Sequence, residues 1–422
     1  MALTRKAVIT GIGIVSPIGV GKAAFWESLC ARRSGVTISP LLADAEFPVR
    51  IGAHVAAFDA KQYIRPRKSL KVMCREIQMA VSAATLASDD AGLAPESVDP
   101  DRLGVLFGSE MFYGELEELI VVYRNCREGD QFLFERWGAR MTSDLFPLFM
   151  LKYLPNMAAC HVAIAHDARG PNNTIALGEA SSLLALAEAA RVIERDHADV
   201  MFVGGAGNRL NLTPMLYRGH SNLSRPHGSP ETASRPFDRG RNGLVNGEGA
   251  CVFVLESESH AARRGARIMA RVLGGGQSYG PVDGPAARTS APVRNSIVRA
   301  LRDAGVNSCD VGHVNAHGLS TVEDDALEAQ AIHDCLGETL VTAPKSYFGS
   351  LGAGGGAVET AVSVLSFEHG LIPPTLNYDD PDPQCPVRVI HGEPMPLATP
   401  QTALLLNQSG TGQAAAVLIA AP

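Results

Sequence analysis

Three observations predict a layered α/β fold for this chain. Short apolar runs of strand character alternate with longer segments of helical spacing. The length, 422 residues, exceeds one ordinary domain, and 46% hydrophobic against 19% charged residues leaves enough apolar mass for a large core. A strand, a small-residue corner and a helix follow one another at 174–207, and a comparable order returns at 341–367. Two similar halves, 1–258 and 259–422, are therefore expected, joined through the charged stretch "ESESHAARRGARIMA" at 256–270.

The first element, "KAVITGIGIVSPIG", reads as an apolar strand breaking into glycines, and "KAAFWESLCA" after it has helical spacing. Gly11-x-Gly13 does not read as a dinucleotide loop, because Ser16 and Pro17 follow and no acidic residue stands at the expected strand end. Further strands are expected at 103–109, 198–207, 249–257, 311–318, 402–407 and 415–421, with helices at 71–91, 180–195, 291–304, 325–335 and 356–369. The segment "FYGELEELIVVYRNCREGDQFLFERWG", 112–138, reads as an amphipathic helix capping the core or as a surface for a partner and a tunnel.

Charge and cysteine usage exclude several classes. The net charge of -7 offers no basic stripe to neutralise phosphates, so no nucleic-acid partner is expected. Cys30, Cys74, Cys126, Cys160, Cys251, Cys309, Cys335 and Cys385 are scattered, without a CxxC pair or a histidine at metal-ligand spacing. Reduced, mostly buried thiols and no bound metal are the expectation. The N-terminus turns polar and glycine-rich too soon for a signal peptide, and no apolar run reaches the roughly 18 residues that span a bilayer. A soluble cytoplasmic protein without a membrane partner is expected.

Four polar elements stand at strand ends or glycine-rich corners, where an α/β sheet exposes its reactive groups. They are Glu179 at a helix start, His317 in "NAHGLST", Lys345 in "APKSYFG", and the turn "NQSGTGQ" at 407–413. Singly, each has a structural meaning: a helix-dipole partner, a core imidazole, a surface cation.

In order and spacing, together with "VITGIGIVSPIG", "ADVMFVGGAG", "ASRPFDRGRNGLVNGEGACVFVLE", "KSYFGSLGAGGGAVE" and "GLIPPTLNYDDPDP", they resemble the β-ketoacyl-acyl-carrier-protein synthases of the thiolase fold, the elongating type, over nearly the whole chain. The resemblance implies an αβαβα core of two similar halves. It implies a homodimer or a heterodimer with a related ketosynthase, and a substrate on the phosphopantetheine arm of acyl carrier protein, with no separate cofactor. It also implies a nucleophilic cysteine at the start of a buried helix, two histidines that assist malonyl decarboxylation, and backbone N–H groups that hold the thioester oxyanion.

This sequence departs from that pattern. Counting back from "AARVIERDHADV", Glu179 stands at the nucleophile position with no cysteine nearby. A carboxylate is a poor acyl acceptor from a thioester, because the product would be a mixed anhydride, so ping-pong transfer should fail. The first histidine persists as His317, and the family's lysine and downstream glutamate as Lys345 and Glu359. The second histidine is Ser350, which can donate a hydrogen bond but cannot carry imidazolium charge. In the last loop, between Gly410 and Gly412, Thr411 aligns with the gating phenylalanine, and Gln413 aligns with a glycine. Asn315, Asp325 and Glu328 match supporting positions around the histidine.

Three readings follow. In the first, Glu179 fills the vacated site, takes the helix dipole and accepts hydrogen bonds from His317 and the N–H of Thr411, as in a non-condensing chain-length-factor-like subunit paired with an active ketosynthase. In the second, a neutral Glu179 mimics the glutamine of loading ketosynthases, and the protein decarboxylates malonyl-carrier protein with His317. In the third, Glu179 and His317 serve as general acid and base on another thioester.

Overall fold

The computed structural model describes residues 5–42, 47–56, 58–94, 97–225, 228–282 and 288–422. Eleven strands make the path of the main sheet: β1 (Ala7–Ser16), β2 (Leu103–Ser109), β3 (Asn172–Ala176), β4 (Val200–Asn208), β5 (Glu248–Ser257), β6 (Ala270–Tyr279), β7 (His313–Asn315), β8 (Leu340–Thr342), β9 (Arg388–Val389), β10 (Thr402–Gln408) and β11 (Gln413–Ala420). Their spatial order is β9-β8-β7-β10-β11-β6-β1-β5-β4-β2-β3. Read outward from the middle, β1-β5-β4-β2-β3 mirrors β6-β11-β10-β7-β8. In each block the outer three strands are parallel and the inner pairings antiparallel. The blocks touch through only two residue pairs, Val8 with Arg271 and Ile9 with Ala270, so each behaves as a sheet of its own.

Side-chain alternation along the strands builds the layers. In β4, Met201 and Val203 face an inner core while Val200 and Phe202 face an outer one; in β10, Ala403 and Leu405 face inward while Leu404 and Leu406 face outward. The inner core holds the helices α3 (Ser181–Glu194) and α6 (Gly355–His369), which both sheets cover. Outer cores pack α1 (Arg75–Ala91) and α2 (Met157–His166) on one sheet, and α4 (Ala291–Ala304) and α5 (Val322–Leu336) on the other. The result is an αβαβα arrangement. A mostly buried helix is predominantly apolar, and "SLLALAEAA" and "AVETAVSVLS" read accordingly, while Glu188, Arg191 and Glu194 of α3 stay at least partly exposed.

Four sequence expectations need correction. The 71–91 helix starts at Arg75, because Arg67–Val72 forms a 3₁₀ segment. The 311–318 strand stops at Asn315, because the N–H groups of His317 and Gly318 turn away to Glu328. The 112–138 segment is not one helix capping the core: its helix, Leu116–Asn125, ends in a hairpin whose Gly129 takes a φ of 58°, and its helix buries only Val122. The cysteines are free, but only half are buried; Cys30 and Cys309 are exposed, and Cys160 and Cys335 are intermediate. Among the described residues no helix is long and apolar enough to cross a membrane.

Glu248, the first residue of β5, is 1% exposed and ties α1 to the sheet by accepting two bonds from Arg75, both at 2.6 Å, and one from the Val55 N–H at 3.0 Å. Burial pushes this carboxyl up, but Arg75, His54 and the Val55 N–H outweigh it and hold it at about 2. A depressed carboxyl contributes stability above its unfolded pKa and loses it as pH falls through the folded value. Glu248→Gln should therefore cost about 3 kcal/mol at neutral pH. In urea titrations at a series of pH values, the gap from the parent protein should close between roughly pH 4 and pH 2.

Candidate functional site

The start of α3 is shaped by its neighbours. Gly178 takes a φ of 62°, a left-handed corner that a side chain would strain. Ser181 Oγ accepts from the Leu177 N–H at 2.8 Å and donates to the Ser109 carbonyl at 2.9 Å, which binds the corner to the end of β2. Glu179, between them, is buried at 8% exposure. The same corner brings it within reach of the residues just beyond β2 and β4.

One of those residues, Arg209, is the partner of Glu179, with Arg209 Nη2 donating to Oε1 at 2.5 Å. The same nitrogen reaches Glu110 Oε2 at 3.2 Å, and Arg218 Nη2 reaches that oxygen at 3.0 Å. Burial alone would lower the Arg209 pKa, but Glu110 and Glu179 outweigh it and the net direction is upward. The expected partners of Glu179 are thus replaced. No hydrogen bond from His317 or from the Thr411 N–H reaches it among the described residues; the guanidinium does.

His317 follows β7 and is 2% exposed. Lys345 Nζ donates to its Nδ1 at 3.1 Å and to its carbonyl at 2.8 Å, and is ion-paired with Glu359 Oε1 at 2.5 Å. Burial holds His317 well below the ordinary imidazole range, and the charges of Lys345 and Arg209 push the same way against a bond to Asn407. The imidazole is neutral with Nδ1 as acceptor, so Nε2 carries the proton. Glu359 Oε2 in turn accepts from Asn407 Nδ2 at 2.7 Å. Burial raises Glu359, while Lys345 opposes.

The supporting residues are spent on backbone. Glu328 accepts from the N–H groups of His317 and Gly318 at 2.7 and 2.8 Å, and Asp325 from those of Phe237 and Ser320 at 2.9 and 3.2 Å. Burial lifts Glu328 to about 8, against the Gly318 N–H, and lifts Asp325 to about 6, against the Phe237 N–H. Asn315 Nδ2 donates to the Glu359 carbonyl at 2.6 Å and to Ser363 Oγ at 3.0 Å, pinning β7 to α6.

Glu179, Arg209 and His317 face one cavity of about 310 Å³, rimmed by Gly410, Gly412 and Gln413 of the last turn. Ser350 and Thr411 do not line it. Ser350 is 2% exposed with its main chain bonded to Val245 and Gly247, and its hydroxyl has no partner among the described residues. Thr411 is exposed, and its hydroxyl bonds Gln413 at 2.6 Å and Ser409 at 2.9 Å. The cavity thus offers a neutral N–H donor backed by a buried ammonium, which suits negative charge developing on a thioester oxygen. Among the described residues no cysteine lines it.

Sequence reasoning missed Glu110, Arg209 and Arg218. The first two stand just past the carboxyl ends of β2 and β4, the edge where parallel strands deliver reactive groups. That position was the available signal.

Two mirrored sheets enclosing two buried helices, with polar groups gathered at the helix starts, define the thiolase-like class. The chain belongs to the beta-ketoacyl synthase family: the N-terminal domain model matches residues 4–261 and the C-terminal domain model residues 269–379. It is similar to the 3-oxoacyl-[acyl-carrier-protein] synthase 2 of Vibrio cholerae serotype O1, with 35% identity over 390 residues and 90% of each chain covered. Among solved structures it resembles the ishigamide ketosynthase/chain length factor, with a TM-score of 0.87, 28% identity, and 99% of this chain and 100% of that chain covered. It also resembles a type II polyketide synthase acyl-carrier protein complex with its ketosynthase, with a TM-score of 0.85, 27% identity and the same coverage.

Removing Arg209 leaves two buried carboxylates facing each other with only Arg218 beside them. Arg209→Met should cost about 3 kcal/mol in chemical denaturation. Adding Glu179→Gln should restore part of that loss, because the second change removes the stranded charge. An equal or larger loss in the double variant would show that the two side chains are not coupled.

Proposed function

We propose that this protein is a non-condensing, chain-length-factor-like subunit of a fatty-acid or polyketide ketosynthase, paired with a related subunit that has the cysteine. The observation that carries the reading is the Glu179–Arg209 ion pair at the start of the buried helix, at the position the family gives to its nucleophile. A carboxylate held by a guanidinium and by the helix start is neither an acyl acceptor nor a mimic of a neutral amide. The malonyl decarboxylase reading needs that neutral form. It draws support from the intact His317–Lys345–Glu359 cluster but is opposed by Arg209.

Two surfaces support the partners in this reading. Strand β3 ends the sheet and is largely exposed, and beside it Ile164 at 77% and Leu177 are exposed apolar residues. An open edge with that composition suits a second subunit that continues the sheet. The exposed stretch holding Lys61, Arg65, Arg67, Lys68 and Lys71 suits an acidic acyl carrier protein, whose phosphopantetheine arm would enter the cavity. Within this reading the chain divides at 258/259, Glu179 is the residue that sets it apart from a condensing ketosynthase, and His317 and Lys345 are residues that it retains.

The test is to incubate malonyl-acyl carrier protein with the purified protein alone and with a co-expressed, cysteine-bearing ketosynthase, and to analyse the carrier protein by mass spectrometry. The protein alone should give neither acetyl- nor ketoacyl-carrier protein; the pair should co-purify at one to one and extend the chain. Acetyl-carrier protein from the protein alone would replace this reading with the decarboxylase one. Failure to pair would remove the subunit reading.

A further inference from the structure

One wall of the cavity at Glu179 carries a chain of alternating charges, Glu179–Arg209–Glu110–Arg218, with links of 2.5, 3.2 and 3.0 Å; Glu179, Arg209 and Arg218 line the cavity and Glu110 backs them. The Glu179, Arg209 and Glu110 side chains are only 11%, 11% and 10% exposed; Arg218, at 37%, is the end that meets solvent. This chain joins two segments that cross there, 110–114 after β2 and 209–218 after β4.

The crossing is braced at several further points. Asn211 Nδ2 donates to the Tyr113 carbonyl at 3.3 Å, Thr213 Oγ1 donates to the Gly114 carbonyl at 2.8 Å, and the rings of Tyr113 and Tyr217 stack with centroids 5.9 Å apart. Gly352 closes the back: a Cβ there would lie 2.2 Å from Glu110 Oε1 and 3.0 Å from Arg209 Nε, so the carboxylate fills the space a side chain would take. On the surface of the same two segments, Met111, Leu216 and Tyr217 are 60%, 65% and 74% exposed. The charged wall of the cavity and this apolar surface are thus carried by the same two segments.

We propose that Glu110 and Arg209 are specificity-determining residues, and that their ion pair is a wall limiting this subunit's cavity to a thioester arm with an acyl group of two or three carbons. A longer alkyl tail would have to displace a buried, mutually neutralised set of charges, and a methylene gives no electrostatic return for that. The volume of about 310 Å³ is at the small end of ligand sites, room for an arm and little more. This rests on the carrier-arm reading of the cavity. Growing chains would then have to be accommodated outside this subunit's own cavity.

The experiment measures calorimetric affinities of the full-length protein for non-hydrolysable acetyl-, octanoyl- and dodecanoyl-pantetheine analogues. The parent protein should bind the acetyl analogue and gain nothing from the longer tails. A triple variant, Glu110→Gly with Arg209→Ala and Glu179→Gln, removes the wall without stranding a buried charge, since Arg218 keeps access to water. It should bind longer tails more tightly, by about fourfold per methylene that enters the opened space. Octanoyl binding to the parent tenfold or more above acetyl would overturn the wall, whether or not the variant folds. So would a folded variant without chain-length dependence, or a parent that binds none of the three. Subunit pairing is not read by this assay, so a failure here and a failure to find a ketosynthase partner are separate results.

Discussion

A carboxylate taken out of water must be neutralised, and at the start of α3 the neutralising group is Arg209. Much of the local architecture follows from that need. Arg209 is itself buried and touches two acids, so Glu110 is balanced in turn by Arg218, whose exposure lets the series end in solvent. Breaking any inner link would strand a charge, whereas the intact set is neutral. The corner glycine at 178 and the bond from Ser181 to the end of β2 hold Glu179 where this balance works.

Beside this cluster sits a second one built on different terms. Lys345, His317 and Glu359 are all nearly inaccessible, and Lys345 donates to His317 Nδ1 and pairs with Glu359, which leaves a neutral His317 on the cavity wall. Asp325 and Glu328 hold the loop that carries His317 by collecting its N–H groups. A neutral imidazole backed by a buried ammonium thus stands beside a carboxylate held by a guanidinium. The proposed subunit, which binds a carrier arm without accepting its acyl group, is consistent with both.

The layered fold was legible because the helices at 181–194 and 355–369 are predominantly apolar, and their strands alternate with period two. His317, Lys345 and Glu359 were also legible, each lying in a distinctive local motif. Arg209 was not, because an arginine past a strand end carries no local pattern; only the crossing of 110–114 with 209–218 gives it two carboxylates. The place of Thr411 in the last turn suggests its N–H as a partner of Glu179. The turn instead closes on its own main chain, with the Gly412 N–H on the Ser409 carbonyl at 3.0 Å and the Ser409 N–H on the Gln413 carbonyl at 2.8 Å. The 112–138 segment misled for a related reason: its apolar positions repeat with helical spacing, yet they face outward, where a partner rather than the core would cover them.

In the proposed subunit Glu179 is a resident of the site and not an acceptor. Intact-protein mass spectrometry after incubation with octanoyl-acyl carrier protein reads this directly. The expected result is an unchanged mass for the protein and an unchanged acyl load on the carrier. A mass increase equal to one octanoyl group, on Glu179 or any other cavity residue, would contradict it.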